Sequence, residues 1–184
     1  MTAGVVVADP PWPLQDKLPG KGRGAVKHYP TMKVADICAL RLPPVGADAL
    51  LFLWRVSSMV EEASQVARAW GFRPVSEIVW VKTAANGTPR MGMGRYVRLA
   101  HETCMIATRG KGRLAIKNHC VRSVFEAPRG AHSAKPDAFY ELVERLVDGP
   151  YLELFARRER AGWTCVGDEL GSRLDLPLAP SRVA

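Results

Sequence analysis

The stretch Val5-Val6-Val7-Ala8-Asp9-Pro10-Pro11-Trp12 limits what this chain can fold into more than any other. Three consecutive valines running into an acid read as a strand buried on both faces, its end opening at the edge of a sheet. Two prolines follow at once. Lacking an N–H, they cannot continue a sheet or enter a helix interior, and their fixed φ turns the chain out sharply past the strand. Asp9 and an unpaired Pro10 carbonyl are then expected to point into the space above the strand's C-terminal end, with the flat face of Trp12 beside them. A carboxylate and a carbonyl can each accept one hydrogen of an exocyclic NH2, and the ring can stack on the planar molecule that carries it.

Asp-Pro alone is a common turn pair, but the four-residue run arises by chance in a chain of this length on the order of once in a thousand. It resembles the catalytic motif of the adenine-N6 methyltransferases of the MT-A70 family, which includes the catalytic subunit of the eukaryotic mRNA methyltransferase. Cytosine-N4 enzymes usually carry Ser in place of the acid. The resemblance spans about Val5 to Leu170 and is most specific at Asp9–Trp12, Ser133–Asp137 and Leu152–Arg157. It implies a Rossmann-like sheet in which the catalytic motif precedes the donor-binding strand, and S-adenosyl-L-methionine as cofactor. By the same resemblance Asp9, Pro10, Pro11 and Trp12 are catalytic. Asp9, Ser133, Lys135, Glu153, Phe155, Arg157, Asp168 and Glu169 face the donor, with Phe155 and Arg157 near its ribose and amino-acid parts. Tyr29 and Lys135 match family positions near the target base. Asp168 stands where the family usually has Asn, a departure that puts its hydrogen bond to the donor in question. The His101-Glu102 pair also recurs in the family, and we read it as structural, tying a loop to the sheet.

The 184 residues, 47% of them hydrophobic, suit one compact domain with a real core. We place a single domain at residues 1–171 and a frayed Pro- and Arg-rich tail at 172–184. No apolar run approaches a membrane span and no charged-then-apolar leader precedes Val5, so a soluble, cytoplasmic chain is expected. A net charge of +8 favours a polyanionic partner. Its cations concentrate at Lys17–Lys27, Lys82–Arg98 and Arg109–Arg122, all in Gly-containing segments that read as loops, where phosphate contacts are commonly made. Four scattered cysteines, Cys38, Cys104, Cys120 and Cys165, without a Cys-x-x-Cys read as reduced core residues. His101-x-x-Cys104 with His119-Cys120 could be written as a zinc site. Cys104 falls in an apolar strand pattern that would point it away from the loop, so no metal is assigned.

Beyond Trp12, the Gly- and Pro-rich residues up to Gly24 read either as a mobile basic flap or as a plain surface connection. A short helix is expected from Val34 to Leu40 and a buried strand at Ala49–Trp54. Ser58-x-x-Glu61 reads as a capping box opening a helix to Trp70, which Gly71 ends in the left-handed conformation. Val75–Lys82 and Thr103–Thr108 read as strands. Between them, Thr83–Leu99 is a long irregular segment in which Met91, Met93 and Tyr96 interleave with Arg90, Arg95 and Arg98, the pairing of a nucleic-acid-facing lid. Trp54, Lys82, Arg95 and Tyr96 join Tyr29 and Lys135 as candidates for substrate contact, while Trp80 is read as core.

Val124-Phe125 is a short strand. Pro136 fits a first helical position with Lys135 at the cap, and the helix runs to Leu146. A lysine at a helix start opposes the dipole, which points to a carboxylate or bound anion nearby. Tyr151–Arg157 reads as the last strong strand and Trp163–Val166 as a shorter one. Glu153, inside the former, needs a partner, for which a cationic or hydroxyl-rich ligand is plausible.

Strands separated by helices, with acids at their C-terminal ends, give a doubly wound α/β sheet with the ligand in the crevice there. The reading for function is methyl transfer to adenine N6 in DNA, since the minimal chain resembles bacterial and phage members. The same chemistry on RNA, and a non-catalytic nucleic-acid-binding paralogue, are the alternatives.

Overall fold

The computed structural model describes residues 2–13, 31–92, 94, 96–111, 116–130 and 134–170. Tyr29, Arg95 and Ser133, the flap at Lys17–Lys27 and the expected tail lie outside the described residues. The valine run forms β1 (Ala3–Ala8), with Val5, Val6 and Val7 fully buried. It is followed by α1 (Val34–Ala39), β2 (Val45–Arg55), α2 (Val60–Ala69), β3 (Arg73–Thr83), β4 (His101–Arg109), β5 (Val124–Pro128), α3 (Asp137–Leu146), β6 (Tyr151–Leu154) and β7 (Trp163–Val166). The strands make one seven-stranded sheet in the order β5-β3-β4-β2-β1-β6-β7.

Why the central strands read as unbroken apolar runs is visible in the two cores. Successive side chains of a strand point to opposite faces, and here both faces are covered. Val6, Ala8, Leu51 and Leu53 pack with Ile37 of α1 and with Ala63 and Val66 of α2. Val5, Val7, Leu50, Phe52 and Trp54 pack on the other side with Phe139, Tyr140, Leu142 and Val143 of α3. With β1 parallel to both β2 and β6, the C-terminal ends of all three open on the same side.

The sheet is mixed rather than wound throughout. β4 runs antiparallel to both β2 and β3, because the chain returns from β3 through the 84–100 connection with no helix to carry it across. The N-terminal end of β4 therefore lies beside the C-terminal ends of β2 and β3. Three local expectations also shift. α2 opens at Met59 with no side-chain cap, so Ser58 is not a capping residue. Pro136 is the N-cap of α3 and Asp137 its first residue. β6 stops at Leu154 because Phe155 turns the backbone into the left-handed region at φ 61°. Gly71 does end α2 with φ 82°, and the Arg109 guanidinium donates to the Trp70 carbonyl there, satisfying an end-of-helix acceptor. Among the described residues no helix is long and apolar enough to cross a membrane.

Candidate active site

The parallel strands deliver their following residues to a common edge. Asp9 leaves β1 there, Trp54 and Arg55 end β2, Lys82 nears the end of β3, and Glu102 stands at the start of β4. Lys135 reaches the same place from the residue before the α3 cap. The motif turn is held by its own atoms. Trp12 donates its backbone N–H to the Pro10 carbonyl at 2.8 Å and its indole Nε1 to the Trp54 carbonyl at 2.9 Å, and Met32 N donates to the Pro11 carbonyl at 2.9 Å. Two sequence expectations change here. The Pro10 carbonyl is not unpaired, though its second lone pair remains for a ligand. Trp12 is only 4% exposed and its ring belongs to the core, so it fixes the turn and does not offer an open stacking face.

What remains is a cleft of about 210 Å³ lined by charge. Lys135 Nζ donates to Asp9 Oδ2 at 2.6 Å and lies 3.4 Å from Glu102 Oε2, while Lys82 Nζ sits 2.6 Å from Glu102 Oε1. Lys135 Nζ also stands 5.1 Å from the centre of the Trp54 ring, in cation–π range. Burial is the largest influence on Lys135 and works against its charge. The carboxylates of Asp9 and Glu102 together outweigh it and hold the ammonium above the ordinary lysine range. For Glu102, burial pushes upward, but Lys135 and Lys82 prevail and keep the carboxyl below its usual value. The carboxylate expected near a lysine at this helix start is therefore present twice.

Of the residues singled out from sequence, Asp9, Pro10, Pro11, Trp12, Trp54, Lys82, Lys135 and Arg157 line this cleft. Glu153 does not line it. It faces α3, where Tyr140 Oη donates to Glu153 Oε1 at 2.5 Å, so the buried acid has an internal partner on one of its two oxygens. Burial raises the Glu153 carboxyl despite that bond, and the Asp9 charge adds to the rise. Phe155 packs against the core formed with α1 and α2. Asp168 and Glu169 are exposed on a short 3-10 turn after β7, Glu169 Oε1 lying 3.6 Å from Arg157 Nε. Tyr96 is 89% exposed on the 84–100 connection, away from the cleft lining. Trp80 is core, its Nε1 donating to the Ala127 carbonyl at 2.9 Å.

Sequence reasoning read Glu102, with His101, as a structural tie and missed its place in the charged cleft. It sits at the head of an apolar strand, the same signal that singled out Glu153, but its two lysines come from β3 and from the approach to α3. Arg55, Ser57 and Leu99 of the lining carried no signal of their own, and His101, read with Glu102 as structural, also lines the cleft. Arg160 was also missed. Its guanidinium lies 3.7 Å from the Tyr140 ring centre and 2.5 Å from Asp137 Oδ1.

The mixed seven-stranded sheet covered by helices on both faces, with Asp9 just past its central parallel strand and Lys135 just before the α3 cap, has the Rossmann-like methyltransferase fold. The chain belongs to the MT-A70 family, whose model matches residues 3–169. It is 34% identical to the N(6)-adenosine-methyltransferase MT-A70-like protein of Arabidopsis thaliana over 94% of this chain and 24% of that protein. Against the human N(6)-adenosine-methyltransferase catalytic subunit METTL3 the identity is 30%, over 90% of this chain and 28% of METTL3. The type II methyltransferase M.MunI of Mycoplasma sp is 27% identical over 94% of this chain and 80% of its own length. The chain thus spans about a quarter of the adenosine methyltransferases it matches and four-fifths of M.MunI.

Proposed function

We propose that this cleft transfers a methyl group from S-adenosyl-L-methionine to the N6 amine of adenine in DNA. The observation that carries the reading is the Asp9 carboxylate, fixed by the Pro-Pro turn at the mouth of β1 and set among buried cations. The residues fit the donor chemically. Asp9 and Glu102 offer negative charge where a sulfonium would lie, and Arg157 offers a guanidinium for a carboxylate. Glu153, Phe155, Asp168, Glu169 and Ser133 complete the donor side in this reading.

The donor supplies a methyl already activated on sulfur, so the chain's own work is positioning. Asp9 and the free lone pair of the Pro10 carbonyl accept the two amine hydrogens of the target adenine. This draws the nitrogen out of conjugation and aims its lone pair along the transfer axis. With the donor bound, transfer would break its S–CH3 bond to leave a neutral thioether, build positive charge on the nitrogen that the preorganised Asp9 carboxylate stabilises, and be completed by loss of one of the two amine protons. In this assignment Trp54 and Lys82 of the lining contact the incoming base, and Tyr29, Arg95 and Tyr96 are kept as substrate contacts on the family resemblance and the sequence pattern alone. A base in a duplex must be flipped out of the stack first.

DNA is favoured because one relative matched across most of both chains, M.MunI, is named a type II methyltransferase. RNA is the second reading, favoured by the adenosine methyltransferase names of the other relatives. Incubating random DNA and RNA oligonucleotide pools with labelled donor separates them. Label at adenine N6 in DNA is expected. Label confined to RNA overturns the substrate, and donor binding with no label in either pool overturns the activity.

A further inference from the structure

In the cleft as it stands, the carboxylate that is to accept the amine hydrogens already has a cation on it. Lys135 Nζ occupies Asp9 Oδ2 at 2.6 Å. The lysine cannot withdraw to solvent, because its side chain is only 7% exposed and packed over Trp54. Nor can it stand alone, since an unpaired buried ammonium is costly. Among the described residues, the other carboxylate paired with it is Glu102, whose Oε2 lies at 3.4 Å. Charge-assisted N–H···O bonds are about 2.7–2.9 Å long, so an approach of under an ångström gives the ammonium, already paired with both acids, a full-strength bond to Glu102 in place of the one to Asp9. Lys82, at 2.6 Å from the opposite oxygen, holds Glu102 ionised to receive it. The four side chains alternate in sign, Asp9, Lys135, Glu102, Lys82, and carry no net charge in either arrangement.

We propose that Glu102 is a positioning residue for the acceptor site, taking Lys135 over from Asp9 as the target amine arrives and so clearing Asp9 Oδ2 for the amine hydrogens. This rests on the methyl-transfer reading above and assigns that site a part it lacked. A mere tie between loop and sheet does not account for Glu102. Lys82 on the neighbouring strand would suffice for a tie, and neither of Glu102's charge partners comes from the 84–98 loop. The relay also gives the cleft a way to keep Asp9 neutralised while no base is bound.

The test is a double-mutant cycle under single-turnover conditions with saturating donor: wild type, Glu102→Gln, Lys135→Met and the double variant. In Glu102→Gln the uncharged amide oxygen is a weaker acceptor, so the ammonium stays biased towards Asp9 and competes with the amine. Transfer should slow ~10–100-fold with a raised oligonucleotide KM, while donor affinity by calorimetry shifts no more than about threefold. Adding Lys135→Met to Glu102→Gln should then cost nothing further or restore part of the rate. Losses that multiply, or a Glu102→Gln defect confined to donor affinity, overturn the relay. Wild-type transfer in the same assay tests the methyl-transfer reading separately. A second measurement does not depend on turnover. In 15N-lysine-labelled protein, the Lys135 ammonium resonance should move when an adenine oligonucleotide binds to wild type and stay still in Glu102→Gln. An immobile wild-type resonance with oligonucleotide bound overturns the hand-over.

Discussion

At the scale of single residues, the site turns on what Asp9 accepts. Asp9→Asn keeps the size and one acceptor oxygen, but it replaces the other with an NH2 that faces the amine hydrogens of adenine. Because charge on the target nitrogen grows only as the methyl moves, the loss should fall on the chemical step, at ~10²–10³ in single-turnover rate, with donor affinity far less affected. Transfer within a few-fold of wild type would remove Asp9 from the role assigned to it. The same substitution leaves Lys135 with Glu102 alone as a charged partner. Asp9 was legible because an acid after a valine run and before two prolines has few places to go. Glu102 was not, since the lysines that give it meaning arrive from β3 and from the start of α3, and only the antiparallel placement of β4 brings them together.

Elements were legible where one physical cause dominated. Buried apolar runs placed the central strands, and the amphipathic pattern placed α3. Boundaries followed tertiary causes: β6 ends early at Phe155, and the Ser58 capping box is unused because the helix starts later. β6 also carries a buried acid whose cost is internal. Burial, opposed by the Tyr140 hydroxyl, raises Glu153 above its ordinary 4.5. A carboxyl raised in the folded state binds its proton more tightly there than in the unfolded chain. Its contribution to stability is therefore full below the ordinary value and is lost as pH rises through the folded one. Glu153→Gln keeps an oxygen for Tyr140 and cannot ionise. Its melting temperature, relative to wild type, should climb as pH goes from below 4.5 to neutrality. Calorimetry at neutral pH should show weaker donor binding in the same variant. A more stable protein that binds donor worse would mark Glu153 as an acid kept for function at the expense of stability. A flat difference across pH would show that Glu153 carries its charge without penalty.

On the scale of the whole molecule, the sheet sorts the charge that the sequence could only count. The Lys82–Arg98 and Arg109–Arg122 clusters looked equivalent along the chain. β4 separates them: its N-terminal end meets the cleft, while Arg109 and Lys111 lie at the other end, on the order of 25 Å away for nine residues at ~3.3 Å each. Lys117 is on that far side too, its N–H donating to the Leu146 carbonyl at the end of α3 and its ammonium paired with Asp148 at 2.6 Å. Arg90 lies at the cleft end, with its N–H on the Lys82 carbonyl, as does exposed Arg129, whose N–H is on the Thr83 carbonyl. Arg109, Lys111 and Lys117 of the second cluster thus stand away from the cleft, whereas Arg129, never singled out by its sequence neighbours, stands at the cleft end, where the proposed function would bring a nucleic acid. Each phosphate neutralised contributes roughly 0.9 to the slope of log affinity against log salt on duplex DNA. Replacing Arg90 and Arg129 with Gln should weaken DNA binding and reduce that slope by about 1–2. Replacing Lys111 and Lys117 should leave it within error, because an exposed pair such as Lys117–Asp148 is worth little to the fold and stands away from the cleft. Equal slopes for the two double variants would mean that the protein meets DNA through its overall charge, and the reverse ranking would put the DNA at the wrong end of the sheet for Asp9 to act on it.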